Sequence, residues 1–229
     1  MRRYNRAARI VFAVHLSPKP AVKVYGLLRT GTNYMTKLLE INFDVFALQS
    51  TERGWKHGPC EYSDRIRFVF LVKNPYSWIR SFWEWEKIHQ RTDARSLEAF
   101  MTQNITHPEL RRRWHADTPI DAWNLSLKSW LTLRDAGNVV FVRYESLLTG
   151  FDRQLHEIQD SLSLKARFPS FRNLESRADD WKTPEPRKAL KTEYYREEQF
   201  IREFSGTELH IMRDRLDPAV MNEFGYEIY

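Results

Sequence analysis

Apolar and polar positions near the start of the chain change period at Gly26. Ala21-Val22-Lys23-Val24-Tyr25 alternates with mostly apolar side chains, follows Pro20 and runs straight into a glycine, as a strand ending in a loop does. From Thr32 the period becomes helical: Tyr34, Met35, Leu38, Leu39 and Asn42 fall on one face at spacings of three and four. A second unit of the same kind follows. Arg67-Phe68-Val69-Phe70-Leu71-Val72 is a continuous apolar run, the pattern of a strand buried on both faces of a parallel sheet. Asn74-Pro75 breaks it, and Trp78, Phe82 and Trp85 then share one side of a helix.

Residues 96 to 135 read as helical in pieces. Ser96 can cap Leu97 to Met101, and Pro119 or Asp121 can start an amphipathic segment from Ala122 to Leu133 that Gly137 closes. A third strand lies at Asn138-Val139-Val140-Phe141-Val142-Arg143. A helical stretch from Phe151 to Leu162, a polar loop from about Phe168 to Lys191, and terminal helices reaching Phe224-Gly225-Tyr226 complete the chain. There is no internal repeat and no low-complexity tract. Strands alternating with helices predict an α/β fold with a mainly parallel sheet flanked by helices. Its ligand should sit beyond the carboxyl ends of the strands.

Composition narrows the class without naming a partner. The 229 residues are 42% hydrophobic, enough to build a core, so residues 1–229 are expected to form one domain and wholesale disorder is excluded. Thirty-six Lys and Arg against 30 Asp and Glu leave a net +6, which favours anionic partners. The single cysteine, Cys60, excludes a disulfide within the chain and a Cys-cluster metal site, and points to a reducing, cytoplasmic compartment. The apolar run from Ile10 to Leu16 contains His15 and leads into Ser17-Pro18 without a small-residue cleavage site, so a signal peptide is not expected. No stretch approaches the ~20 apolar residues of a membrane helix, and a soluble protein is expected; the oligomeric state is not legible.

Glycine is scarce, 8 in the chain, and two of them bound the loop after the first strand. Gly26-Leu27-Leu28-Arg29-Thr30-Gly31-Thr32-Asn33 has the frame of a phosphate-binding loop: a glycine, four residues, a glycine and a helix start. Backbone N–H groups at such a turn, with the positive end of the helix dipole behind them, hold a phosphate. A loop that uses ATP or GTP would continue with Lys and then Ser or Thr, for the phosphates and magnesium. Thr32 and Asn33 stand there instead, and a cation appears at Arg29. The cradle is present without the triphosphate and metal equipment.

At this point the sequence resembles the sulfotransferases that use 3′-phosphoadenosine 5′-phosphosulfate (PAPS), whose phosphosulfate loop runs Lys or Arg, Ser or Thr, Gly, Thr. The resemblance implies a P-loop-like fold, sulfuryl transfer to an acceptor, release of PAP and no metal. It makes Arg29, Thr30, Gly31, Thr32 and Asn33 the phosphosulfate loop, with Tyr34 near the adenine. Two further segments match. Lys73 at a strand end and Ser81 eight positions later have the spacing of the family's 3′-phosphate contacts, although the family usually has Arg-Asp-Pro where this chain has Lys73-Asn74-Pro75. Arg143-Tyr144-Glu145-Ser146-Leu147 resembles the family's Arg-Tyr-Glu-Asp-Leu, which puts Tyr144 near the nucleotide and leaves Arg143 and Glu145 as structural partners. Glu223-Phe224-Gly225-Tyr226 is a similar ending. Arg187-Lys188-Ala189 is similar to a late Arg-Lys-Gly that covers the 3′-phosphate, without its glycine, so Lys182, Arg187 and Lys188 are candidates for that lid.

An acceptor hydroxyl needs a base. His57 is the best placed of 7 histidines, in Gly54-Trp55-Lys56-His57-Gly58-Pro59, and Lys56-His57 resembles a shortened form of the family's Lys, one residue, His. Glu52 and Glu61 are the alternatives, because glycan-modifying members use a glutamate in this region. His107 and His115 have too little support as metal ligands. Trp78, Trp85, Trp123 and Trp130 fall on helical faces and belong to the core, whereas Trp55 is the candidate acceptor contact. Arg111-Arg112-Arg113-Trp114 could meet an acidic acceptor, and such a run is more often a solvated face. The expected partners are PAPS and a hydroxyl acceptor, saccharide or other small molecule, with no nucleic acid. A small-molecule kinase with a degenerate loop and a noncatalytic basic binding module are the competing readings.

Overall fold

The computed structural model describes residue 8, residues 10–174 and residues 188–229. Among the described residues four strands form one parallel sheet: β1 (Ala21–Tyr25), β2 (Phe46–Ala47), β3 (Ile66–Val72) and β4 (Val139–Arg143), in the order β2-β1-β3-β4. Tyr25 pairs with Phe70 and Val72 with Arg143, so the carboxyl ends of β1, β3 and β4 emerge at the same edge of the sheet.

Alternation along the strands sends side chains to both faces. Val22 and Val24 of β1 and Val69 and Leu71 of β3 pack with Met35, Leu38 and Leu39 of α1 (Thr32–Asn42) and with Leu147, Leu155 and Ile158. Ala21 and Tyr25, with Phe68, Phe70 and Val72, face the other way into a core rich in aromatics. Trp78 and Phe82 of α2 (Pro75–Ile88) and Trp123 and Trp130 of α5 (Pro119–Leu131) fill that second layer, each almost fully buried. Trp85 is only half-buried at its rim. Covered faces on both sides explain why β3 reads as a continuous apolar run and β1 as mostly apolar.

Local chemistry starts the helices. Asn74 Oδ1 accepts from the Tyr76 N–H at 3.0 Å and Pro75 stands at the first helical position, so the Asn-Pro that breaks the strand pattern also opens α2. Ser96 caps α3 (Leu97–Thr102) as expected. Thr118 and Asp121 form a capping box at the start of α5, which ends at Leu131 rather than Leu133. Short i+3 turns from Trp130 to Ala136 then carry the chain to β4, so Gly137 is not the helix stop.

α4 (Pro108–Trp114), under the basic run, is one of the helical pieces expected between residues 96 and 135, whereas two elements had no clear sequence pattern: the two-residue strand β2 and α6 (Tyr144–Thr149), which follows β4 directly. Each is too short to display a period. After α6 come α7 (Phe151–Leu162), α8 (Lys188–Arg196), a 3-10 turn at Gln199–Glu203, α9 (Gly206–Arg215) and α10 (Pro218–Glu223). Residues 188–191, read as loop from the sequence, belong to α8. Among the described residues no helix is long and apolar enough to cross a membrane.

Candidate active site

The loop after β1 is built around two close approaches. Gly31 adopts a left-handed conformation (φ 89°, ψ 23°) and starts α1, and a Cβ there would lie 2.7 Å from the Tyr144 ring. A Cβ on Gly26 would lie 2.7 Å from the Leu71 carbonyl and 2.6 Å from Thr30 Oγ1. Both positions therefore need glycine for space, and Gly31 needs it for backbone geometry as well. Thr30 turns inward, its hydroxyl donating to the Leu27 carbonyl at 2.7 Å. Thr32 is buried at the first turn of α1, while Arg29 (φ 68°) and Asn33 are exposed on the rim. Tyr34 is half-buried with its hydroxyl donating to Asn173 Oδ1 at 2.6 Å. Burial, then the neighbouring Tyr144, pushes its pKa up to about 12.

The segment 49–58 is laid against this loop by a residue that the strand pattern hides. Lys23, central in β1 and 1% exposed, donates from Nζ to the carbonyls of Gln49 (2.5 Å), Ser50 (3.2 Å), Glu52 (2.6 Å) and Gly54 (3.4 Å). A buried ammonium is tolerable only with such a set of acceptors. The Gly26 N–H donates to the Lys56 carbonyl at 3.0 Å, and Lys56 Nζ donates to Asn33 Oδ1. Lys56 thus reaches the rim of the glycine loop.

His57 is buried, with its ring Nδ1 2.5 Å from the Gly26 carbonyl, so Nδ1 carries the proton and donates. Trp114 Nε1–H donates to the His57 carbonyl at 2.9 Å, and Trp55 meets the imidazole edge to face at 5.0 Å. Burial above all, then the charges of Lys56, His107 and Lys23, pushes the pKa of His57 down to about 3 against the opposing bond to Gly26. Glu52 is buried and already accepts the Gln49 N–H at 2.6 Å, whereas Glu61 is exposed.

Lys73, at the end of β3, is 4% exposed, and its carbonyl accepts from Trp123 Nε1–H at 3.1 Å. Ser77 and Ser81 follow at four-residue intervals along α2, so they share one face of it; Ser77 is buried and Ser81 half-buried. Tyr144 opens α6 against Gly31. Behind it Glu145 accepts from the Asn74 N–H at 2.9 Å and from the Tyr226 hydroxyl at 3.0 Å. Burial raises the pKa of this carboxyl, opposed by those bonds and by Lys73. Arg143 lies over the Tyr226 ring at 4.5 Å. The two residues between which Asn74, β4 and the Phe224-Gly225-Tyr226 ending are knit are thus Glu145 and Arg143.

Some sequence candidates sit apart. Trp55 stacks on His107, and His107 on Trp85, at 5.9 and 5.8 Å, beside His57. Arg113 lies over Trp55 at 5.5 Å while bonded to Glu109; Arg111 and Arg112 are exposed, and Trp114 belongs to the core. Lys182 and Arg187 lie outside the described residues, and of Lys188 only its place in α8 is described. Sequence reasoning missed Lys23, hidden among apolar neighbours, and Tyr195 of α8, whose ring meets Tyr144 edge to face at 5.5 Å.

Comparison with known proteins adds family and fold. The fold matches that of a mouse sulfotransferase, SULT7A1, crystallised with PAP: TM-score 0.57 at 12% identity, covering 95% of this chain and 92% of that one. Two structures of retinol dehydratase match with a TM-score of 0.44 each. One, with androsterone and the inactive cofactor PAP, is 14% identical over 70% of this chain and 64% of its own; the other, with retinol and PAP, is 13% identical over 96% and 74%. A search of curated sequences gave no match. The sulfotransferase domain profile matches residues 58–224, a span that includes Lys73, Ser81, Tyr144 and Phe224 and begins after the glycine loop. With well over half of its length inside that profile, the chain belongs to the sulfotransferase domain family.

Proposed function

We propose that this protein transfers the sulfuryl group of PAPS to a hydroxyl of a saccharide or other small acceptor, with residues 1–229 acting as one domain. The observation that carries the reading is the meeting of the glycine loop, Lys73 and Tyr144 at one edge of the sheet, with a buried Thr32 where a triphosphate loop would need lysine. PAP in the mouse relative of the same fold supports it.

In this reading Arg29, Thr30, Gly31, Thr32 and Asn33 cradle the phosphosulfate, while Lys73 and Ser81 take the 3′-phosphate. Tyr34 and Tyr144 flank the nucleotide. Arg187 and Lys188 cover the 3′-phosphate as a lid. Bound PAPS supplies the activated sulfur. The acceptor oxygen attacks that sulfur, the sulfur–oxygen bond to the 5′-phosphate breaks, and its electron pair leaves on the phosphate oxygen of PAP. No metal is required, because Arg29 and Lys56 stabilise the charge growing on those oxygens. Arg29 remains protonated throughout, so it acts as a fixed charge.

His57 takes the acceptor's proton. Its Nδ1–H is committed to Gly26, which leaves the Nε2 lone pair as the basic site. An imidazole with so low a pKa is a poor base alone, and a phosphosulfate anion beside it favours the imidazolium. Trp55, edge-on to His57, serves as the acceptor contact. The cytoplasmic location we assign rests on the single cysteine.

The test is radiolabelled transfer. Sulfate from PAPS should appear on some member of an acceptor library, and Arg29→Ala should abolish that transfer while the protein stays folded. Undiminished transfer by Arg29→Ala refutes the assigned role of the loop.

A further inference from the structure

The carboxyl end of β3 carries an arrangement that the sequence motifs do not require. The Lys73 ammonium lies 5.5 Å from the centre of the Tyr144 ring and 5.7 Å from that of Tyr195. Within about 6 Å of a ring face a cation is attracted by the π-system, so both phenols are partners of this buried charge. Tyr144 arrives from the end of β4, and Tyr195 from α8, which packs against α6. Ser77, buried one helical turn beyond Lys73 in α2, donates its hydroxyl to the Asn74 carbonyl at 3.1 Å. An ammonium and two phenols from separate elements therefore converge at one place.

The convergence answers a chemical need. A lysine is a point charge, without the directional fork by which an arginine clamps a phosphate. A phenol O–H beside it restores direction. Burial first, then Tyr144 and Glu145, holds the Tyr195 pKa well above its ordinary value, so the hydroxyl keeps its proton and remains a donor.

We propose that Tyr195 is a binding residue for the 3′-phosphate of PAPS, its hydroxyl donating to a phosphate oxygen beside the Lys73 ammonium. The Lys73 ammonium and the Tyr144 ring hold the phenol in position, and the contact ties α8 to the ligand. The proposal rests on the reading above, in which Lys73 faces the 3′-phosphate.

Calorimetric titration of the full chain with PAP and with adenosine 5′-monophosphate, which lacks the 3′-phosphate, tests it. Wild type is expected to prefer PAP. Tyr195→Phe should weaken PAP by about tenfold, the size of one hydrogen bond to a charged group, and leave the monophosphate unchanged. Unchanged monophosphate binding also reports that the variant is folded. A Tyr195→Phe protein that keeps the wild-type preference, or that loses both ligands equally, overturns the proposal. A wild type without preference for PAP instead overturns the assignment of Lys73, and the Tyr195 proposal with it.

Discussion

Acidification should destabilise this protein through His57 by an amount that can be worked out from its surroundings. The imidazole is buried, donates to Gly26 and holds a pKa of about 3, whereas in the unfolded chain it returns to the ordinary 6.5. Between those values the unfolded chain binds a proton that the folded one refuses, so stability is full above 6.5 and declines as pH falls. The loss levels off only below about 3. Each pH unit inside the window is worth about 1.4 kcal/mol, so going from about pH 7.5 to about pH 5 costs roughly 2 kcal/mol. That figure is insensitive to the folded value, because any folded pKa at or below about 4 leaves the site neutral at pH 5.

His57→Gln removes the titration and keeps a donor able to reach the Gly26 carbonyl. Urea unfolding of both proteins at the two pH values isolates the effect, since other groups, His107 among them, titrate in both. Wild type should lose about 2 kcal/mol more than the variant on acidification. Equal losses would show that the imidazole is solvated and would remove the physical basis for its placement.

Three further outcomes follow from the same geometry. The pH profile of kcat/KM should show no inflection near 6.5, because His57 is neutral throughout that range in the free protein; an inflection there identifies a solvated imidazole. Gly31→Ala forces a Cβ to 2.7 Å from the Tyr144 ring at a positive φ and should cost about 1–3 kcal/mol in thermal unfolding together with PAP binding; unchanged affinity refutes the close approach. Glu145→Ala leaves the Asn74 N–H and the Tyr226 hydroxyl without their acceptor and should destabilise by about 2–3 kcal/mol, with Glu145→Gln recovering part of it in the same melts.

The parts of the fold that repeat a period were legible in the chain. β1 and α7 fall at their expected residues, and β3 and β4 each differ by one residue at the start. Binary patterning could place them because one or both faces are buried. It could not find β2 or α6, whose few residues span less than a useful period. The glycine loop was legible because its glycine spacing lies within one short segment and Gly31 takes a positive φ there, and Asn74 because its cap is a local bond. What escaped was set by tertiary contact. Lys23 reads as an interruption of an apolar strand until four carbonyls from residues 49–54 surround it. The burial of His57 depends on Trp114 and Trp55, and Tyr195 reaches Lys73 only through the packing of α8 on α6. No spacing along the chain encodes those meetings.

On the proposed reading this edge of the sheet binds a nucleotide with phosphates at both ends of its ribose, without metal. Calorimetry of the full chain against PAP, and against ATP with magnesium, addresses it directly. PAP should bind without metal, and ATP should not displace it. Magnesium-dependent binding of ATP with no binding of PAP would contradict it.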